Sequence, residues 1–219
     1  RQYLVLILST LFLLSCTPDE MTISVYTSDI DAAKNGATVQ VPVKMTFSMP
    51  GQDKNNDLEK VEVIVKEYLA PKSKFTIVKG KYSNSVVVET SIDFGINDNP
   101  NKRILKLNYY PPRKEFPKEA PMVQLNKKKD VIKELNSRLR EINFMLTLSL
   151  PPKNSKLRII SDSKVPYKIQ GLSTWVSKKP YLNYVTTLNK REETEMLFKG
   201  GSNSVYSQIP VHFNLRKMN

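Results

Sequence analysis

The chain has 219 residues, with 34 Lys and Arg against 21 Asp and Glu, a formal charge of +13, one His and one Cys. A single cysteine excludes a disulfide framework, and one of each excludes a zinc site built from His and Cys alone. Seven Gly against 14 Pro, with 40% hydrophobic residues in short alternating runs, argue for strands punctuated by proline turns around a real core rather than a low-complexity chain.

From Tyr3 to Leu14 every residue is apolar except Ser9 and Thr10, which as a helix reaches about 18 Å at ~1.5 Å per residue. A bilayer core of about 30 Å needs ~20 such residues. The stretch has the dimensions of a signal-peptide apolar region, with Arg1 as the remnant of its positive start; without a methionine ahead of Arg1, the natural chain is expected to begin a residue or two earlier. Leu13-Leu14-Ser15-Cys16 then precedes the abruptly polar Thr17-Pro18-Asp19-Glu20. This resembles the bacterial lipobox. The resemblance implies cleavage between Ser15 and Cys16, a diacylglycerol on the Cys16 thiol and usually an acylated amino group. An uncleaved apolar helix with an incidental cysteine is the structural alternative. Several acyl chains anchor a protein stably where one does not, at ~0.8 kcal/mol per buried methylene. By the same resemblance, Thr17 in place of Asp favours the outer membrane, with the domain facing the periplasm and the anchor in membrane lipid.

Removing residues 1–15 from 219 leaves 204, and about +12 of charge. The expected organisation is a signal over 1–15, a lipidated tether over 16–24 and one α+β domain over 25–219. Ser28 reads as the N-cap of a short helix with Asp31 as its acidic reciprocal and Gly36 as its end. Val39, Val41, Val43, Met45, Phe47 and Met49 alternate with polar residues, a strand with one buried face. Pro42 lacks a ladder donor and predicts an edge position, or a proline facing away from its neighbour. Asp57 caps a helix through Leu58, Val61, Ile64, Val65, Tyr68 and Leu69, with a strand as the β-branched alternative, and Pro71 closes it. Strands follow at 75–78, 85–94 and 103–109, then a proline-rich loop from Tyr110 to Pro121.

Val131, Ile132, Leu135, Leu139 and Ile142 form one stripe of a helix over 127–143. Lys127, Lys128 and Lys129 oppose its dipole, a placement that fits either a functional basic end or a loop just before the helix. Further strands are expected at 144–150, 156–160, 167–170, 173–177, 181–188, 193–198 and 208–215. Two main helices among many strands without βαβ alternation indicate an α+β fold with a largely antiparallel sheet.

His212 falls on the polar side of Val211-His212-Phe213, a surface position on a strand. The carboxylate pairs Asp29/Asp31 and Asp93/Asp98 leave a carboxylate enzyme as a minority reading, although Asp31 already has a capping role. No phosphate loop is present, and no metal or cofactor is expected. Between Asn101 and Glu141 twelve basic residues face five acidic ones. Arg113, Lys114, Lys118, Lys127, Lys128, Lys129 and Lys133 are the candidate anion-binding residues, unless the charge only solubilises a face. Export makes nucleic acid an unsuitable partner, whereas anionic lipid, glycolipid or another envelope protein fits. Tyr109, Tyr110 and Phe116 interleave with the loop charges, either to rest on headgroups or to pack on the sheet beneath.

Ile23 to Ile30, followed by a short helix and a long alternating strand, resembles the start of small enterobacterial and prophage lipoproteins of unknown function. It is also similar to periplasmic lipoproteins in which a curved antiparallel sheet wraps a long helix around an acyl chain. That second resemblance implies a lipid carrier with an internal apolar cavity and the 127–143 helix inside; the proline-rich insertion and the later strands depart from it. The first expectation is a non-enzymatic binding module.

Overall fold

The computed structural model describes residues 20–50, 57–79, 83–96, 103–112, 121–142, 146–148, 150, 152, 154–199 and 212–217. Cys16 and Ser15, the Arg113, Lys114 and Lys118 loop, Phe116 and Asp98 lie outside them.

Alternating hydrophobicity produces most of the strands, in chain order β1 (Glu20–Tyr26), β2 (Val39–Pro50), β3 (Lys74–Lys79), β4 (Ser83–Gly95), β5 (Leu105–Tyr110), β6 (Met122–Lys127), β7 (Asn154–Ile160), β8 (Tyr167–Val176), β9 (Lys179–Leu188), β10 (Glu193–Lys199) and β11 (His212–Lys217). The helices are α1 (Thr27–Lys34), α2 (Asp57–Lys66) and α3 (Lys129–Ile142). The strands form one sheet in the order β10-β7-β1-β2-β4-β5-β6-β11-β8-β9, with β3 beside β4. β8 pairs with β11 through Tyr167–Gly171 and meets β10 at Trp175, opposite Leu197, so the sheet curls back on itself. At that meeting a side chain on Gly171 would lie 2.5 Å from the Met196 sulfur; glycine allows the approach.

The chain is therefore α+β and dominated by its sheet, most of whose pairings are antiparallel as expected, but which is mixed. β1–β7 and β4–β5 are parallel. A third helix, α1, accompanies the two longer ones. Residues 20–24, expected as part of a tether over 16–24, belong to β1, whose Met21, Ile23 and Val25 are buried. β2 is an interior strand, flanked by β1 and β4, not an edge. Pro42 is accommodated because the β1 ladder ends at Val43, one residue before it. The segments expected at 167–170 and 173–177 are one strand, β8, bent at Ser173 where φ is 50°. β6 falls where no strand was expected. Conversely, the described residues of 144–150 form no strand: the Leu148 N–H and C=O bond to the Asn136 side chain, at 2.6 and 3.0 Å.

One face of the sheet carries the core. Val41, Val43 and Met45 of β2 stand beside Ile92 and Val88 of β4 and join Leu107, Val123 and Leu157. α1 packs on β1, β2, β4 and β5, and α2 packs on α3. Leu135 and Leu139 of α3 are buried, and each such side chain contributes about 1.5–3 kcal/mol. α1 begins one residue before the expected cap, with Tyr26 as N-cap and its N–H donating to Asp29 at 2.9 Å. It ends as expected, at Gly36, whose φ of +88° suits glycine. The Gly36 and Ala37 N–H groups return to the Ala33 and Ala32 carbonyls at 3.0 Å, a Schellman closure.

Candidate functional site

The basic segment of the sequence is divided by the fold. Tyr110 of β5 pairs with Met122 of β6, and at the other end of this hairpin Leu105 pairs with Lys127. The base of the proline-rich loop therefore stands about 17 Å from Lys127, at ~3.3 Å per residue. Three of the twelve charges are structural. Arg103 pairs with the nearly buried Asp93 and also donates to Gln40 at 2.7 Å, and Lys106 is buried. The Arg138 guanidinium makes a bidentate pair with Glu67 at 2.6 and 2.8 Å and lies 5.6 Å from the Tyr68 ring centroid.

Lys127, Lys128, Lys129 and Lys133 are brought together. Lys127 ends β6, and Lys128 is the junction, its N–H donating to the Ile104 carbonyl at 3.1 Å. Lys129 opens α3, and Lys133 lies one turn further on the same face. The triplet thus straddles strand, junction and helix instead of sitting wholly in a loop. Asp130, also in the first turn, carries the sign that the helix dipole prefers. Lys127, Lys129 and Lys133 are exposed and make no ion pair among the described residues. Lys127, Lys129, Ile132, Leu148 and Leu150 line an open depression of about 190 Å³. Its walls are cationic, its floor is apolar, and Asn136 holds Leu148 in that floor.

A second, more enclosed space lies between α2, α3 and the β3–β4 hairpin. It is about 50 Å³ and lined by apolar side chains including Phe47, Val65, Phe75, Val88 and Leu139. An apolar cavity that admits benzene has about 150 Å³.

Of the carboxylates considered for catalysis, Asp29, Asp31 and Asp93 have structural partners. Asp29 caps α1, and burial, opposed by its bond from Tyr26, raises its carboxyl above the ordinary range. Asp31 accepts the Tyr167 hydroxyl, and burial followed by this bond pushes the Tyr167 phenol far up. Burial, with the Asp31 charge second, also raises the Tyr109 phenol. Tyr109 is in the core, so of the two expectations for that ring it packs on the sheet. Tyr110 is partly exposed and its oxygen accepts from Asn108 and Asn126.

Asp162, absent from the sequence reading, joins this corner. Its carboxylate accepts from the Thr27 hydroxyl at 2.7 Å, the Ser28 N–H at 2.9 Å and the Ser28 hydroxyl. Ser28 is therefore not the helix N-cap. Thr27 Oγ1 in turn accepts the N–H groups of Asp162 and Ser163 at 3.1 Å. Burial alone would raise the Asp162 carboxyl, but the bonds from Ser28 and Thr27 hold it below the ordinary range. No local pattern announces a contact across 135 residues; the nearest signal is the Thr27-Ser28 pair itself.

Among the described residues no group of three or more His, Cys, Asp or Glu is placed to hold a metal, and no helix is long and apolar enough to cross a membrane. His212 lies on β11, with its side chain outside the described ones. No family model and no curated protein matches the chain.

Proposed function

We propose that this protein is a lipoprotein anchored through Cys16 to the outer membrane and facing the periplasm, where it binds an anionic amphiphilic component of the envelope without catalysis. The observation that carries the binding reading is the depression between β6 and α3. Two lysines without ion-pair partners among the described residues rim an apolar floor, which suits a ligand with a negative head and an apolar body. The lipobox resemblance at Leu13–Cys16 supports the anchor. The carrier reading has less support, since an acyl chain needs more room than the 50 Å³ between α2 and β3–β4.

Each lysine near an anionic surface contributes roughly 1 kcal/mol. In the Cys16→Ser chain, which removes the acyl anchor as a confounding attachment, Lys127→Gln/Lys129→Gln is expected to weaken binding to phosphatidylglycerol vesicles about thirtyfold. Binding to phosphatidylcholine vesicles should be weak in both, and salt should erode the difference. Equal cosedimentation of the two chains would overturn the binding site. Cys16→Ser should by itself release the protein from the membrane fraction of cells.

A further inference from the structure

β9 is the last strand of the sheet and pairs only with β8 among the described residues. Half of its backbone N–H and C=O groups point away from β8, as they do on any edge strand. Its side chains are unusually apolar for such a position. Leu182 is 86% exposed, and Tyr181 and Val185, with Leu172 of the neighbouring β8, join it at the surface. The hairpin that presents them is tightly built, with Ser177 and Lys178 both at positive φ, 49° and 67°, the conformation of a two-residue turn that matches strand twist.

The charge pattern selects the occupant. From Pro180 to Asn189 there is no charge, whereas Lys178 and Lys179 stand at one end of this run and Lys190 and Arg191 at the other. All four are exposed. A second copy pairing antiparallel about the centre of the run would bring the Lys178-Lys179 end of one strand to the Lys190-Arg191 turn of the other, and like charges brought close across a strand pair are destabilising. Pro180, without an N–H, further blunts that end against self-association. An extended segment with acidic ends meets the same edge with both charge pairs favourable.

We propose that the outer edge of β9 is a docking site for an extended segment of a partner protein, carrying Asp or Glu on both sides of an uncharged run. Main-chain bonds to β9 would supply affinity, and contacts with Leu182 and Val185, together with the bracketing charges, would supply selection.

The probe is a pair of synthetic peptides, each an alternating Thr/Val run as long as Tyr181–Leu188, bracketed by Asp-Glu in one and by Lys-Lys in the other. The full chain should bind the acidic peptide about tenfold more tightly than the basic one, with amide shifts concentrated on β9. The Lys179→Glu/Lys190→Glu chain should reverse or abolish that preference while keeping its unfolding midpoint. Leu182→Asp should weaken the acidic peptide. Equal affinity for both peptides, including none for either, overturns the proposal. Self-association abolished by Leu182→Asp would assign the edge to a second copy, and Leu182-dependent binding to phosphatidylglycerol vesicles would assign it to a membrane; either result also overturns it.

Discussion

The corner where α1 meets the β7–β8 connection and the depression where β6 meets α3 are both polar junctions between a strand and a helix, and they treat charge in opposite ways. At the first, Asp162, Thr27 and Ser28 satisfy one another, Asp29 caps the helix, and Asp31 takes the Tyr167 hydroxyl. At the second, Lys127, Lys129 and Lys133 find no ion-pair partner among the described residues, and Lys127 and Lys129 line open apolar space. Mutual satisfaction of these groups marks a structural corner, because each of them already has what desolvation requires. Exposed, unpaired charge beside apolar surface is available to something else.

This contrast is sharpest where removal of one partner strands the other. Arg103→Ala leaves the Asp93 carboxylate nearly buried without its guanidinium, and breaking such a pair costs about 3 kcal/mol. Urea unfolding should show this as a lowered midpoint at unchanged slope; an unchanged midpoint would show that Lys106, beside Asp93 in the β4–β5 register, suffices. A smaller loss, about 1–2 kcal/mol, is expected for Asp162→Ala, which leaves the buried Thr27 hydroxyl without an acceptor for its proton and the Ser28 N–H at the helix start without its carboxylate.

Asp162 also adds a pH signature. Its carboxyl is held below the ordinary range in the folded chain, so near the ordinary carboxylate pKa the unfolded chain binds more protons at this position than the folded one. The stabilisation is complete above the unfolded value and is lost as pH falls through the folded one. Asp29 works in the opposite sense, since its raised carboxyl favours the folded state below its unfolded value and loses that contribution as pH rises through the folded value. Asp162→Ala should therefore flatten the acid side of the stability profile relative to the parent. The smallest change in stability, within about 0.5 kcal/mol, is expected for Lys127→Gln/Lys129→Gln, although this pair should show the largest loss of anion binding. Substantial unfolding by that pair would place the lysines with the structural corner instead.

Short-range pattern made much of the framework readable. Period-two alternation located β2, β4, β7 and β10, and the stripe from Val131 to Ile142 located α3, because each of these elements buries a single face. β1 carries the same signal in Met21, Ile23 and Val25, yet it follows directly on a polar segment and so reads as tether. The opposite failure occurred at 144–150. Leu146, Leu148 and Leu150 alternate and are buried, but Asn136 claims the Leu148 backbone groups and the described residues of this segment form no strand. For the candidate site, Lys127, Lys128, Lys129 and Lys133 were legible as charge, and their apolar floor was not, since Leu148 and Leu150 come from beyond α3.

Composition and periodicity alone determined that this is an α+β chain with a one-faced core, one histidine, no disulfide and a concentrated basic segment. Those properties depend on residues within a few positions of one another. The tertiary structure decided which charges are used up and which are left over. Arg103 meets an aspartate ten residues away and one sheet neighbour across, Arg138 meets Glu67 from another helix, and Thr27 meets Asp162 across 135 residues. Pairings of this kind follow from parallel registers and from the curling of the sheet, which are set by the packing of the whole core.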